Sequence, residues 1–345
     1  MSLVLGIDGG NSKTHALILS DQGEVLGFGA SPGSNFQVVG LDATKRALSL
    51  AINHALSQCD LKMGDIQMGC FCLAGADLPE DYCLLQQTVE ELVQPMKVKV
   101  KNDTIAALQA GLHLESFGVT VVVGAGFNAA GRGKDGSEIV LPGLGYISGD
   151  YGGGQWMGQQ IVQAIMRAWD GRGPSTSMRQ PVLELLGAKD EMGLIYTLRR
   201  EKTQKRLQDL MPVLFEAAYE GDEVAQSLLT FLGQEVGLTA GVLIRRLGLE
   251  KEEVPVVLST SVFRGKGPLL LDVITETVHR IAPKARIIIP IFVPVVGAAI
   301  EALKLSGVLL CQALLSKLEQ ELRRKHPELI YAKTLNAQET SWSIT

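Results

Sequence analysis

The sequence predicts an α/β fold made of two halves that repeat one pattern of strands and glycine turns. Its length of 345 residues suggests two domains, at roughly 150 residues for each. Apolar strand-like runs alternate with amphipathic helix-like runs, which is typical of a sheet covered by helices. The strand–turn–strand pattern of residues 3–30 also recurs at residues 119–141. We therefore expect a domain at residues 1–117 and a second at 118–345.

The first half begins with three short apolar strands. They are Leu3–Ile7, His15–Leu19 and Val25–Ala30, and polar glycine turns separate them. The elements predicted to follow are a helix at Leu41–Leu56, a strand at Gln67–Leu73, a helix at Asp81–Val93, a strand at Lys97–Lys101 and a helix opening at Asn102.

The second half repeats the three strands and then becomes rich in helices. The predicted strands are Val119–Val123, 127–131, Ser137–Leu141, Pro255–Ser259 and Arg286–Ile289. The predicted helices are Gln155–Trp169, Gln180–Leu186, Gln204–Tyr219, Asp222–Leu247, Pro268–Ile281, Gly297–Leu305 and Leu309–Arg323. We expect that the C-terminal helix can pack back on the first lobe.

Composition excludes several classes of protein. A net charge of −5 leaves no basic excess for a general nucleic-acid binder. The first residues carry no positive charge, which argues against a secretory signal, and we expect no membrane span because no apolar run reaches about 18 residues. Five cysteines without C-x-x-C spacing predict reduced thiols and a cytoplasmic location. We expect a homodimer.

The turn Asp8-Gly9-Gly10-Asn11-Ser12-Lys13-Thr14 carries the clearest chemical signal. Paired glycines let successive backbone N–H groups approach an anion, and Lys13 adds a positive charge. Asp8 at the strand end could hold Mg²⁺ through its oxygens. Ser12 stands where a Walker A loop needs glycine, and a strand follows instead of a helix. The turn thus predicts a phosphate site, the alternative being an ordinary hairpin with a solvated lysine.

A second glycine turn, Gly124-Ala125-Gly126, follows the strand at Val119–Val123. With Ala129 it matches the dinucleotide pattern G-x-G-x-x-A, but that motif needs a helix next. Residues 131–136 are too rich in glycine for a helix, so we predict a second phosphate-facing hairpin.

Two acidic positions have competing interpretations. Asn102-Asp103-Thr104 stands at a strand-to-helix junction, where it could supply a helix N-cap or a general base that accepts a hydroxyl proton. Asp150 lies at the foot of the glycine-rich loop 149–154. Its carboxylate suggests contacts with ligand hydroxyls, or with a metal through water.

In this order, the segments resemble the actin-like ATPase-fold sugar kinases, and more narrowly the group of N-acetylglucosamine kinases and BadF/BadG/BcrA/BcrD ATPases. The resemblance covers residues 3 to about 305. It rests on the motifs IDGGNSKT at 7–14, SNF at 34–36, CLAGAD at 72–77, NDT at 102–104, VGAGFN at 123–128, GLGYISGDYGGG at 143–154, DGRGP at 170–174 and PVVGAA at 294–299.

The resemblance implies two ribonuclease-H-like lobes, with ATP and a sugar in the cleft between them. It implies a catalytic base at Asp103 and an organiser of Mg²⁺ at Asp8. Sugar contacts are implied at Asn35, Asp103 and Asp150. The positions implied to bind the nucleotide are Gly9, Gly10, Asn11, Lys13, Thr14, Gly124, Gly126 and Ser261.

The chain departs from the family pattern at two places. Ala125 and Phe127 replace hydroxyl residues of the second turn, and Ser259-Thr260-Ser261 stands where the family favours glycines. The second change predicts a narrower adenine site. The cysteines do not match the arrangement that holds the [4Fe–4S] cluster of the activator branch.

We therefore expect an ATP-dependent kinase for the 6-hydroxyl of an amino sugar, N-acetylglucosamine or glucosamine. N-acetylmuramic acid is a third candidate, which the sequence does not separate from these two. The alternatives are a non-catalytic sugar or nucleotide sensor with this fold, and an ATPase that acts on a protein partner.

Overall fold

The computed structural model describes residues 2–141, 143, 145–204 and 206–331, and its framework is two five-stranded sheets. Leu144 of the motif at 143–154, Lys205 of one predicted helix and the tail 332–345 lie outside the described residues. The first sheet contains β1 (Leu3–Gly9), β2 (Lys13–Ser20), β3 (Val25–Pro32), β4 (Met68–Leu73) and β5 (Lys97–Asn102). The second contains β6 (Gly118–Val123), β7 (Phe127–Arg132), β8 (Glu138–Leu141), β9 (Pro255–Ser259) and β10 (Arg286–Ile288).

The two sheets have the same topology. Their strand orders are β3-β2-β1-β4-β5 and β8-β7-β6-β9-β10. In each sheet the central strand pairs antiparallel with the strand after it and parallel with the fourth strand of its set. The predicted duplication and the α/β class are confirmed.

Helices cover these sheets. They are α1 (Phe36–Val39), α2 (Leu41–Leu56), α3 (Pro79–Val93), α4 (Asp103–Leu112), α5 (Gly154–Trp169), α6 (Arg179–Leu186), α7 (Glu191–Leu198), α8 (Glu201–Gln204), α9 (Met211–Tyr219), α10 (Glu223–Arg246), α11 (Leu269–His279), α12 (Pro294–Leu305) and α13 (Gln312–Lys325).

The single helix predicted over Gln204–Tyr219 is wrong. The structure has α8, then a 3₁₀ turn at Leu207–Leu210, and then α9. Pro212 lies in the first turn of α9, where a proline is tolerated but cannot continue a preceding helix. The short helices α1 and α7 were not predicted.

The helices α4 and α12 lie together between the two sheets. The helix α12 packs on the first sheet, against β1 and β4, although it follows the strands of the second. On the other side, Ile105 and Leu108 of α4 pack against Val257 of the second sheet. The C-terminal helix α13 packs against β3. The division at 117/118 coincides with the start of β6 and stays a prediction.

Glycine at position 297 lets α12 approach α4 closely. A Cβ built at Gly297 would lie well inside van der Waals contact of the Ala106 carbonyl oxygen and the Ala110 nitrogen. Both obstructing atoms belong to backbone, so no side-chain rotation could relieve the overlap. The distance between the two helices therefore depends on this residue.

A partly buried network of ion pairs, with Arg132 and Glu301 at its buried centre, joins the sheets beside these helices. A guanidinium nitrogen of Arg132 lies 2.7 Å from a Glu138 carboxylate oxygen and 2.9 Å from an oxygen of Glu301. The Nζ atom of Lys101 lies 3.1 Å from a carboxylate oxygen of Glu301. The network links β5, β7, β8 and α12, and its buried charges favour one relative position of the sheets.

The helix α10 is long and apolar enough to cross a membrane by length and composition, contrary to our expectation that no segment would be. Half of its most apolar stretch is buried within the protein. It packs on α11 and α9, as a core helix does. No other helix among the described residues meets this test.

We predict that Gly297→Ala lowers the free energy of unfolding by about 2 kcal/mol, because the added methyl group forces α4 and α12 apart. Urea unfolding would measure the change. The matched control is Gly64→Ala, an exposed position where the nearest obstructing atom is 3.9 Å away. Equal stability of the two variants would contradict this account of the helix contact.

Candidate active site

Asp8 and Asp103 lie at the carboxyl ends of two parallel strands of the first sheet. Asp8 is in register with Cys72 of β4, and Cys72 with Lys101 of β5. The strands β1 and β5 are two strand spacings, or about 10 Å, apart. Asp103 follows β5 directly. Ligands of open α/β sheets bind beyond this edge, so both carboxylates face the place where a ligand is expected.

Asn102, and not Asp103, caps α4. The Asn102 side-chain oxygen accepts a hydrogen bond from the Thr104 nitrogen at 3.0 Å, and its amide nitrogen donates to the Ala76 carbonyl at 3.1 Å. Among the described residues, nothing donates a hydrogen bond to Oδ1 of Asp103, although that atom is buried. The two interpretations of this motif thus apply to neighbouring residues: Asn102 caps the helix, and Asp103 keeps one buried oxygen, Oδ1, without a donor among the described residues.

Burial raises the pKa of both carboxylates. The pKa of Asp103 rises to about 6, and the charge of Asp77 adds to the effect of burial. The pKa of Asp8 rises to about 7, because the charge of Asp103 adds to the effect of burial while the charge of Lys13 opposes it. A carboxylate with a pKa near 6 is suited to accept a proton near neutral pH.

The turn between β1 and β2 is supported from behind by residues 33–35. Its Gly10 nitrogen donates to the Lys13 carbonyl at 2.9 Å, and the Ser34 nitrogen donates to the Gly10 carbonyl at 3.0 Å. These bonds fix the backbone of the turn, while the Lys13 side chain stays exposed and can reach an anion.

Thr14, predicted to bind the nucleotide, has hydrogen-bond partners within the protein. The Thr14 side chain is fully buried, and its hydroxyl lies 2.9 Å from the Pro32 carbonyl and 2.8 Å from the Ser34 hydroxyl. It stabilises the turn from inside, so any phosphate contact of Thr14 falls to its backbone.

The buried Asn35 side chain also supports the turn. Its amide nitrogen donates to Oδ1 of Asn11 at 2.7 Å, and its oxygen accepts from the Gln37 nitrogen to cap α1. Asn35 therefore holds Asn11 in the turn, and its contact with a sugar stays a prediction.

Two backbone hydrogen bonds hold the second glycine turn against the glycine-rich loop and the start of α5. The Gly154 nitrogen donates to the Gly124 carbonyl at 2.8 Å, and the Gln155 nitrogen donates to the Ala125 carbonyl at 3.0 Å. A Cβ at Gly153 would lie 2.7 Å from the Gly126 carbonyl carbon. The adjacent glycines of the loop therefore have a structural reason, which is the close approach of two backbones. The strand β7 follows the turn, as the rejection of a dinucleotide motif requires.

Asp150 closes its own loop. Its carboxylate accepts hydrogen bonds from the Gly145 nitrogen at 3.2 Å and the Ser148 hydroxyl at 2.8 Å. It also lines a small cavity of about 50 Å³ with Asn128 and with Glu235 of α10. The structure places Asp150 at the second sheet, and its sugar contact stays a prediction.

The segment that follows β9 has a strained backbone. Thr260 has a φ of 122°, a conformation that normally requires glycine and costs a β-branched residue about 1–3 kcal/mol. Its hydroxyl donates to the Val123 carbonyl at 2.6 Å, directly before the second glycine turn. Ser259 is buried and Ser261 exposed, so of the two serines Ser261 is accessible to a nucleotide.

Comparison with known proteins identifies the family. The model of the BadF/BadG/BcrA/BcrD ATPase family matches residues 5–302. The chain belongs to the BadF/BadG/BcrA/BcrD ATPase family. An N-acetyl-D-glucosamine kinase of Dictyostelium discoideum is 32% identical over 312 residues, covering 87% of this chain and 98% of that protein. An N-acetylmuramic acid/N-acetylglucosamine kinase of Clostridium acetobutylicum is 30% identical, covering 76% and 85%.

A solved structure shows the same fold. It is that of a Chromobacterium violaceum protein assigned as an N-acetylglucosamine kinase, with a TM-score of 0.64 at 22% identity, covering 87% of this chain and 98% of that one. The resemblance stated from the sequence is thus confirmed at the level of the family and the fold. Membership of this ATPase family implies ATP as the nucleotide.

Sequence reasoning missed Asp77 and Ser34. The Asp77 carboxylate accepts a hydrogen bond from the Asn102 amide at 3.0 Å, and its charge raises the pKa of Asp103. Both residues stand in quoted motifs, at 72–77 and 34–36, so the motifs marked their positions. Only the structure reveals their contacts.

We predict that Gly126→Ala lowers the affinity for ADP, whereas Gly153→Ala lowers the stability of the fold. A Cβ at Gly126 meets no protein atom within 4 Å, so this variant keeps its stability and loses affinity for ADP by steric exclusion. Gly153→Ala lowers stability, because its methyl group overlaps the second turn. Thermal unfolding and calorimetric titration with ADP would measure both. An unstable Gly126→Ala variant, or one with normal ADP affinity, would contradict the assignment of this turn.

Proposed function

We propose that this protein transfers the γ-phosphoryl group of ATP to the 6-hydroxyl of a hexosamine, N-acetylglucosamine or glucosamine. The observation that carries the proposal is the buried Oδ1 of Asp103, which has no donor among the described residues, at the same sheet edge as the supported glycine turn. Family membership supports ATP as the donor. The two curated relatives, named as kinases of N-acetylglucosamine and of N-acetylmuramic acid, support a hexosamine as the acceptor.

In the proposed mechanism Asp103 acts as the general base. It accepts the proton of the sugar 6-hydroxyl as that oxygen forms a bond to the γ-phosphorus, and the bond between this phosphorus and the bridging oxygen breaks to release ADP. The backbone of the two glycine turns and the Lys13 ammonium stabilise the phosphate charge. Positioning and charge neutralisation supply most of the catalysis in such transfers.

We assign Asp8 to Mg²⁺, which would neutralise charge on the phosphate oxygens. The residues fit such an ion, because Asp8 is a buried carboxylate whose pKa the charge of Asp103 raises further, and a cation there would offset that repulsion. Among the described residues, no cluster of three or more His, Cys, Asp or Glu side chains could hold a metal. Nucleotide and water oxygens would therefore complete the coordination, as Mg²⁺ sites commonly do.

We place the reaction in the cytoplasm, and we propose a homodimer. The five cysteines are free thiols, which supports a reducing compartment. Analytical ultracentrifugation tests the oligomeric state.

A coupled assay of ADP release across a hexosamine panel tests the proposal. Release stimulated by glucosamine or N-acetylglucosamine supports the kinase. Sugar binding without turnover indicates the alternative, a non-catalytic sensor. The strained backbone of Thr260, where the family favours glycine, is the observation that favours this alternative. Sugar-independent hydrolysis indicates an ATPase that acts on a partner.

We predict that Asp103→Asn lowers kcat by about 10³-fold, because an amide cannot accept the hydroxyl proton. Affinity for ADP stays near the wild-type value and the melting temperature does not fall, since Asn102 provides the helix cap and the substitution removes a buried charge. The matched control is Asp60→Asn on the exposed surface of the same lobe. A kcat for Asp103→Asn within about tenfold of wild type would rule out general-base catalysis by this residue.

We predict that kcat/KM for the sugar falls tenfold per pH unit below about pH 6, the raised pKa of Asp103, because the protonated carboxyl cannot act as a base. Saturating Mg²⁺ is needed, since Asp8 otherwise titrates at about 7. The free energy of unfolding changes with pH in the opposite direction to the activity. The raised pKa values favour the native state at low pH, and this contribution is lost as the pH rises from about 4 through 6 to 7. A flat activity profile between pH 5 and 7 would contradict the assignment.

A further inference from the structure

The last described residues lie across the segment that connects the second sheet to α12. This segment, residues 289–293, crosses from one lobe to the other. The Val293 nitrogen donates to the Leu329 carbonyl at 3.1 Å, and the Tyr331 nitrogen donates to the Ile291 carbonyl at 2.8 Å. Phe292 and Ile330 form the antiparallel bridge between them. We call residues 327–331 the strap.

The strap is anchored on the first lobe. The ammonium group of Lys325, at the end of α13, donates to the Val25 carbonyl of β3 at 2.7 Å. The ring of His326 lies 5.4 Å from the ring of Phe28. Leu329 is buried in the core that the first sheet shares with α12. The strap therefore starts from a fixed position on one lobe.

The far end of the strap contacts the other lobe at residues 259–264, which we call the nucleotide segment. The guanidinium carbon of Arg264 lies 4.0 Å from the centre of the Tyr331 ring. Arg264 ends the 3₁₀ turn that follows the strained Thr260, and it donates to the Thr260 carbonyl at 3.0 Å and to the Pro290 carbonyl. Within the described part of the chain, no carboxylate forms an ion pair with it. The guanidinium is therefore held by two backbone carbonyls and by the face of the Tyr331 ring.

The charge of Asp8 on the first sheet also acts on Tyr331. Burial raises the pKa of the Tyr331 hydroxyl, Arg264 lowers it, and the carboxylate of Asp8 raises it further. The ring is thus within electrostatic range of Asp8 on the first sheet while it stacks on Arg264 of the second. By its contacts, the strap connects the first lobe, through Lys325 and Leu329, to Arg264 of the second.

We propose that Tyr331 and Arg264 are positioning residues for the nucleotide, which the strap holds at a fixed spacing between the Asp8 turn and residues 259–264. The inference rests on the proposed function only for the identity of the site. The strap is a third connection between the lobes, besides the crossings at 113–117 and 289–293. Loss of the stack removes the contact between the strap and residues 259–264 and leaves the sugar contacts unchanged.

Calorimetric titration with ADP tests this directly and needs no phosphoryl transfer. Tyr331→Leu and Arg264→Met each raise the Kd for ADP about tenfold, and the double variant is no weaker than the worse single one. Tyr331→Phe keeps the ring and binds normally. The matched control is Tyr196→Leu, at an exposed tyrosine whose ring lies 5.3 Å from Arg199. The Kd for glucosamine stays constant in all of them.

A Tyr331→Leu variant with normal melting temperature and a Kd for ADP within about twofold of wild type would overturn the proposal. Equal weakening of ADP and glucosamine binding would do the same, since that outcome indicates general loosening of the fold. If Tyr331→Leu does not fold, Arg264→Met decides alone. A wild type that binds ADP but phosphorylates no sugar contradicts the proposed function and leaves this test intact.

Discussion

The close contact of α4 and α12 is the constraint on which the rest of the structure depends. Each helix follows the last strand of one sheet, and the pair fills the space between both sheets. Because Gly297 brings the two backbones together, the position of α4 is fixed from both sides. The N-terminus of α4 carries Asp103, so the same contact positions the candidate base. Architecture and chemistry therefore share one element.

The site concentrates negative charge where the fold offers little to compensate it. The charge of Asp77 raises the pKa of Asp103, the charge of Asp103 raises that of Asp8, and one buried oxygen of Asp103 has no hydrogen-bond donor among the described residues. Such an arrangement costs stability in the free protein. A hydroxyl group at Asp103 and a cation at Asp8 would relieve it, which explains why the cost is tolerated. Strain at Thr260 on the nucleotide side follows the same logic.

Most of the framework could be predicted from the sequence, because alternating apolar runs and glycine turns determine strands locally. The strand pairs around both glycine turns and the helix Leu41–Leu56 agree with prediction. The site was predicted less completely. The sequence motif includes a carboxylate at position 103, but only the three-dimensional contacts distinguish the helix cap at Asn102 from the buried acid at Asp103. Non-local contacts, such as Tyr331 on Arg264, leave no trace in local patterns.

The glycine-rich loop at 149–154 illustrates the same limit. Its composition indicated a ligand site, whereas the structure gives the glycines a packing reason against the second turn. A local pattern reveals that the backbone must approach something closely, and only the fold identifies what it approaches.

Transfer from ATP labelled at the γ-phosphate, with the labelled product identified by phosphorus NMR, tests the central claim most directly. The account predicts a phosphomonoester on the 6-oxygen of glucosamine or N-acetylglucosamine, formed in step with ADP. Label released as inorganic phosphate at one rate with and without sugar would contradict it.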